Sequence, residues 1–168
     1  MREEYISSII IDGYNLIGIS HKDLKKQRDQ LIEALINYKK EKDHDITVVF
    51  DGWKTGEAQE SRSKIGGITI IYSRIGEKAD SVIKRIIDAE RHGWIVVTSD
   101  RDIANHAWTS GSVPIPGEEF LKIFEKPMLS YSDMEAYEEK EYQEPRKKGS
   151  PRTLSKKEKA IRRALNKL

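Results

Sequence analysis

Residues 6–13 read Ile-Ser-Ser-Ile-Ile-Ile-Asp-Gly, a short β-branched apolar run that stops at an acid and a glycine. Ile6–Ile11 is too short for a core helix and nearly continuous in apolar residues at its end, which suits a strand covered on both faces. The same pattern returns three times, at Ile46–Phe50 (ITVVF), Ile68–Tyr72 (ITIIY) and Trp94–Thr98 (WIVVT). Helical spacing lies between most of these runs. Leu24, Leu31, Leu35 and Tyr38 form one stripe, with Ser20 and Asp23 as a candidate capping box ahead of it. Val82, Ile83, Ile86 and Ile87 form a second stripe between Ala79 and His92, and Gly93 is placed to stop that helix. A shorter helix is expected near Asp102, then a weaker strand at Ser112–Ile115 and a helix at Glu118–Phe124. Strands alternating with helices predict an open, three-layer α/β fold with a mostly parallel sheet.

Two stretches break the pattern. Lys54–Lys64 is polar and reads as an exposed loop or marginal helix. After Lys126-Pro127 the periodicity fades into an acidic run at 133–144 and then PRKKGSPRT at 145–153. Residues 1–127 are therefore expected to form the domain, 128–153 a charged linker, and 154–168 a basic amphipathic C-terminal helix. Ser155 and Glu158 offer that helix a capping box, and Leu154, Ile161, Leu165 and Leu168 a narrow apolar stripe. The stripe would be wasted on phosphates, so it is expected to face a protein or ribonucleoprotein surface; packing on its own domain is the alternative.

The 168 residues suffice for one ordinary domain, and cysteine is absent, which excludes disulfides and thiolate metal sites. No apolar run approaches the ~20 residues of a membrane span, and Met1–Tyr5 lacks the layout of a signal peptide. A cytoplasmic protein with no membrane partner is expected. The net charge of +2 conceals an asymmetry. Residues 146–168 hold ten Lys/Arg against one acid, Glu158, while residues 1–145 hold 20 bases and 27 acids. A tail of +9 on a body of −7 points to a polyanionic partner, of which nucleic acid is the commonest.

Chemistry follows from where the acids fall. Asp12 ends the first strand, Asp51 ends the second, and Asp100 follows the fourth with Asp102 close behind. Asp80 opens the helix after the third strand. In a parallel sheet these ends share one edge, and ligands bind in the crevice there. Individually each acid has an ordinary explanation: Asp-Gly is a turn pair, Asp80 suits a helix N-terminus, and Asp100 suits a cap. Their joint placement on one edge is what argues for chemistry. Clustered carboxylates repel unless a cation is present. Asp oxygens without Cys, and with none of the four histidines (His21, His44, His92, His106) in a zinc-like spacing, suit Mg²⁺ or Mn²⁺. A divalent ion of this kind can activate water for attack on a phosphodiester.

The stretches IIIDGYNLIG, VVFDG, YSRIGEKADSVIKRII, VVTSDRDIA and PIPGEEFLKIF resemble, in order, the YacP-like branch of the NYN domains, relatives of the PIN-domain ribonucleases. The resemblance covers about residues 6–125. It implies a PIN-like fold and divalent-metal-dependent endonucleolytic RNA cleavage leaving a 5′-phosphate and a 3′-hydroxyl. It implies that Asp12, Asp80 and Asp100 ligate metal, that Asp51 occupies a fourth acidic position, and that Asn15 orients an acid or contacts phosphate. Asp102 would be an extra acid. Messenger RNA at the ribosome is the substrate associated with a YacP-like endoribonuclease. The family often has an acid where this chain has Ser81, with Glu77 or Asp102 as the residues that would compensate.

Phosphate contacts near the acidic edge are expected from Arg74, Lys78 and Arg101, with Arg62 and Lys64 as weaker candidates, and Tyr14 is a candidate for stacking a base. Ordinary surface charge, and core packing for Tyr14, are the competing explanations. A phosphoacceptor receiver domain is mimicked by Asp51, Thr98 and Lys126-Pro127, but Lys126 follows a helical pattern and Gly13, not a second acid, follows Asp12. No G-x-G-x-x-G follows the first strand, which disfavours a dinucleotide fold. The remaining alternative to a nuclease is a non-catalytic RNA- or ribosome-binding module of the same fold.

Overall fold

A computed structural model describes residues 7–17, 23–52, 58–125 and 153–168. Six strands form one sheet in the order β3-β4-β2-β1-β5-β6. They are β1 (Ser8–Asp12), β2 (Asp45–Phe50), β3 (Ser61–Ile65), β4 (Ile68–Tyr72), β5 (Ile95–Val97) and β6 (Val113–Ile115). All pairings are parallel except β3 with β4. The helices are α1 (Gly13–Ile17), α2 (Leu24–Lys42), α3 (Ala79–Ala89), α4 (Arg101–Thr109), α5 (Gly117–Glu125) and α6 (Lys156–Lys167).

The apolar runs are continuous because both sheet faces are covered. Ile9 and Ile11 point into one core with Ile46, Val48, Phe50, Leu35 and Phe120. Ile10 and Val49 point the other way, onto Val82, Ile83, Ile86 and Ile87 of α3 and Ile103 and Ala107 of α4. Alternate residues of one strand thus serve two layers, as the period of a strand requires. Trp94 is buried in the second core and donates its indole N–H to the Glu90 carbonyl at 2.8 Å, a packing role.

Several boundaries differ from the sequence reading. The segment read as loop or marginal helix holds β3, whose Arg62, Ser63 and Lys64 are exposed. Periodicity is uninformative in such a polar edge strand, where charge discourages pairing with another chain. The usable signal is the turn: Gly66 and Gly67 have φ of 57° and 83°, and Ile65 pairs with Ile68. Two positive φ values in a two-residue loop define the hairpin turn that glycine permits without steric cost. At α2 the N-cap is Asp23, whose side chain accepts the Lys26 amide at 3.2 Å. The helix starts at Leu24; the capping box with Ser20 falls outside the described residues. Helix α3 ends at Ala89 with Glu90 as C-cap, and Gly93 (φ 79°) serves the turn beyond it.

Helix α6 has the expected capping box: Ser155 accepts the Glu158 amide and Glu158 accepts the Ser155 amide. The end of its stripe, Leu165 and Leu168, faces the chain's own core, contrary to the partner surface expected, while Leu154 is exposed. Ala164 and Leu168 are buried with α2 and α5 residues, Leu165 packs against them, and α6 lies against β6. The buried Tyr38 hydroxyl donates to the Leu168 carbonyl at 2.9 Å. Burial of a few apolar side chains, each contributing about 1.5–3 kcal/mol, accounts for the docking. The expected linker, 128–153, lies outside the described residues except for Thr153. Among the described residues no helix is long and apolar enough to cross a membrane.

Candidate active site

The C-terminal ends of β1, β2 and β5 and the start of α3 converge on one edge, and each delivers an aspartate. β1 terminates at Asp12, and α1 turns away at once. A side chain at Gly13 would run into the Phe50 ring, so the residue after Asp12 must be glycine for this turn to pack. Asp51 follows Phe50, and its Oδ1 accepts the Ala79 amide at 2.6 Å, fastening β2 to the first turn of α3. Ser73 reinforces that junction: its hydroxyl accepts the Gly52 amide at 2.9 Å and donates to the Glu77 carbonyl at 2.6 Å. Asp80 is thereby carried to the edge by a loop hydrogen-bonded at both ends.

Beyond β5, Thr98 is buried, and its hydroxyl lies 3.4 Å from Asp12 Oδ2, to which it donates, and accepts the Asp100 amide at 3.1 Å. Asp100 caps α4 through Oδ1, which accepts the Asp102 and Ile103 amides at 2.8 and 3.2 Å. Asn15 accepts the Ser99 amide at 2.8 Å through its side-chain oxygen, holding the backbone next to Asp100. Its visible work is on the loop.

The ordinary explanations are therefore realised for Asp51 and Asp100, each of which gives one oxygen to a helix start. Asp80 likewise stands in the first turn of α3 and Asp12 accepts the Asn15 amide at the start of α1, yet each of these two carries a feature that such a role does not explain. Burial, with Asp51 and Asp100 nearby, pushes the Asp12 carboxyl up to about 7 against the partial relief of the Thr98 hydrogen bond. Asp80 Oδ1 is buried with no hydrogen-bond partner among the described residues. Unsatisfied buried carboxylate oxygens cost free energy, and a cation is the usual partner that removes the cost. Both acids fit a hard divalent ion by donor type, and Asp80 also by an oxygen left without a partner among the described residues. The described residues contain no group of three or more His, Asp or Glu drawn together closely enough to hold an ion, so Asp12, Asp80 and Asp100 are not assembled as a ready cage.

Other expected residues divide. Asp102 is exposed and bonded to Lys84, one turn after Asp80 on α3; that partner lowers its carboxyl, and Asp102, Asp80 and Asp100 in turn raise the Lys84 ammonium. Glu77 is engaged by Arg85 at 2.7 Å and Arg74 at 3.6 Å. Neither residue named to compensate for Ser81 is free to do so in this arrangement. Lys78 and Arg101 are exposed at the starts of α3 and α4 and make no ion pair among the described residues. Tyr14 is a correction: it is 5% exposed, its ring meets Phe50 edge-on at 5.0 Å, and it has no open face for a base. Sequence reasoning missed Lys84, although its i+4 spacing from Asp80 was available. It also missed Arg28, whose guanidinium donates to the Tyr14 hydroxyl at 3.3 Å across a separation no local pattern reveals.

Comparison with known proteins agrees with this architecture. The family model for the YacP-like NYN domain matches residues 9–167. The crystal structure of a single-residue variant of Rae1 (YacP) from Bacillus subtilis superposes with a TM-score of 0.60 at 22% identity, covering 96% of this chain and 91% of that one. A second crystal structure of Rae1 (YacP) from Bacillus subtilis gives 0.57 at 22% identity, covering 80% and 81%. No curated protein matches the chain. The six-stranded, mostly parallel sheet is thus of the PIN-like nuclease type, and the chain belongs to the YacP-like NYN domain family.

Proposed function

We propose that the chain is an endoribonuclease that hydrolyses RNA phosphodiester bonds with Mg²⁺ or Mn²⁺. The observation that carries this reading is the state of Asp12, raised to about 7 by burial and by Asp51 and Asp100 at the strand edge; an Asp80 oxygen at the same edge, without a partner among the described residues, supports it. Family membership supports RNA as the substrate class. Asp12 and Asp80, with Asp100, would hold the ion, which when bound supplies Lewis acidity and an activated water. The chain's own residues do the rest. Thr98 steadies Asp12, Asp51 positions the α3 start that bears Asp80, and Asn15 fixes the backbone beside Asp100. Lys78 and Arg101, exposed beside the acids, would hold the flanking phosphates. Lys156, Lys157, Lys159, Arg162, Arg163 and Lys167 of α6 would contact a longer RNA, such as messenger RNA on the ribosome, in a cytoplasmic setting.

A second reading has one observation in its favour: the absence, among the described residues, of an assembled three-acid cluster suits a non-catalytic RNA- or ribosome-binding module. One experiment separates them. A mixed panel of free RNAs and translating ribosomes is incubated with Mn²⁺, Mg²⁺ or EDTA, with Asp12→Asn as control. Cleavage that needs both metal and Asp12 is expected. Tight binding of RNA without cleavage under any condition would establish the module instead.

A further inference from the structure

Arg28 lies in the second turn of α2, at the end of that helix which meets the acidic edge: α2 continues from there to Lys42 and the start of β2, at the opposite end of the sheet. Its neighbours belong to the same edge. Tyr72 is the last residue of β4 and pairs in register with Phe50, the residue before Asp51. Tyr14 is two residues beyond Asp12. Phe50 stacks on Tyr72 with centroids 5.5 Å apart and planes inclined by 24°, and the Arg28 guanidinium lies 5.4 Å from the centre of the Tyr72 ring. Nη1 donates to the Tyr14 hydroxyl at 3.3 Å. The guanidinium is therefore clamped in one orientation by two tyrosines.

What it lacks among the described residues is an ion pair: the adjacent Asp29 carboxylate acts on it only through space. Arginine is seldom withdrawn from water unless a carboxylate or phosphate compensates it. Arg28 is half-buried, its Nε is buried without an acceptor, and no carboxylate among the described residues pairs with it. Of the five aspartates at the neighbouring strand and helix ends, Asp51 serves Ala79, Asp100 serves α4, Asp102 pairs with Lys84 and Asp12 bonds Thr98, and Asp80 makes no ion pair with Arg28. A rigid guanidinium fork with no ion pair among the described residues, at the acidic edge, has the chemistry of a phosphodiester receptor, since planar donors in fixed geometry match phosphate oxygens.

We infer that Arg28, clamped between Tyr72 and Tyr14, binds a phosphate of the RNA strand adjacent to the phosphate that is cleaved. This rests on the ribonuclease reading above and adds to it a positioning contact on the α2 side of the acids. The contact sets the register of the strand, so it governs which phosphate reaches Asp12.

The test is equilibrium binding of a labelled single-stranded RNA in EDTA across a salt series, on the Asp12→Asn protein with Arg28→Gln, Arg28→Lys or Tyr72→Leu added. Arg28→Gln is expected to weaken binding about tenfold and to flatten the log K against log salt slope by about 0.7, one phosphate's worth. Arg28→Lys should restore the slope but only part of the affinity, because an ammonium has no fork. Tyr72→Leu should lose affinity with the slope intact, since the charge stays and its clamp goes. Thermal unfolding accompanies each variant; if Arg28→Gln fails to fold, the other two decide. Affinity and slope unchanged in all three, while the parent binds RNA, would overturn the inference and leave the ribonuclease reading standing. A parent that binds no RNA at all would overturn both.

Discussion

Asp51 accepts the backbone amide of Ala79 at 2.6 Å, so the acid that ends β2 is also the fastening of α3, the helix that carries Asp80. One carboxylate here supplies negative charge at the strand edge and controls the placement of another. The two duties can be separated by chemistry. Asn retains an acceptor oxygen and Ala does not. Asp51→Asn is expected to keep wild-type stability to within about 0.5 kcal/mol, whereas Asp51→Ala should cost about 1–2 kcal/mol, as a lost helix-start acceptor does. Chemical denaturation of both variants checks this; equal stability would show that the hydrogen bond does not hold the junction.

The raised Asp12 carboxyl has a signed consequence for the metal-free protein. Its value is about 7 in the fold against 3.8 unfolded, so the folded state binds the proton more tightly. Below about pH 4 both states hold the proton and the group is neutral to stability. Between about 4 and 7 the unfolded chain has lost it and the fold resists, so stability falls as pH rises. Above about 7 the penalty is complete. Asp12→Asn removes it, and its melting temperature in EDTA at pH 8 should exceed wild type by several degrees. An unchanged or lower melting temperature would contradict the assigned burial of this acid.

Metal should reverse the same penalty. Mn²⁺ is expected to raise the melting temperature of the wild-type protein as a ligand of the folded state alone does. Asp80→Asn should fold, fail to cleave and show little of this Mn²⁺ shift, because its buried oxygen is the one without a partner. Full cleavage, or an undiminished shift, in Asp80→Asn would remove that residue from the site.

Helix α6 allows charge and packing to be tested apart. Lys156, Lys157 and Lys159 are exposed at its start, and Lys157 lies over the Trp108 ring at 5.4 Å. Changing these three to Gln should leave unfolding nearly unchanged, within about 0.5 kcal/mol, while lowering affinity for long RNA and its salt dependence. Ala164→Asp should instead destabilise the fold, because position 164 is buried. Unaltered RNA affinity in the triple variant would assign the tail's charge to something other than nucleic acid.

The parallel sheet was legible because each of its central strands must be apolar on both faces, and that demand is written into IIID, ITVVF and WIVV. The placement of the acids followed, since parallel strands share an edge. What escaped was set by contacts distant in sequence. β3 is polar because it is an edge, and only Gly66-Gly67 announces it. The short α1 depends on the close approach of Gly13 to Phe50. Tyr14 exchanges its expected base-stacking role for a contact with Arg28, because a residue fourteen positions onward returns to the same corner. The stripe of α6 was visible, but which surface it meets depends on Tyr38 and the core around it.

The two rims of the sheet are treated unequally. At one, β3 is exposed among the described residues and guarded by charge; at the other, α6 packs against β6. Helix α6 is in this respect a cover for the apolar surface next to β6. A chain ending before residue 153 would bare both the last strand and the apolar pocket that Leu168 fills. Such a shortened protein is expected to self-associate, and any loss of RNA binding it showed would report stickiness and unfolding together with the missing charge.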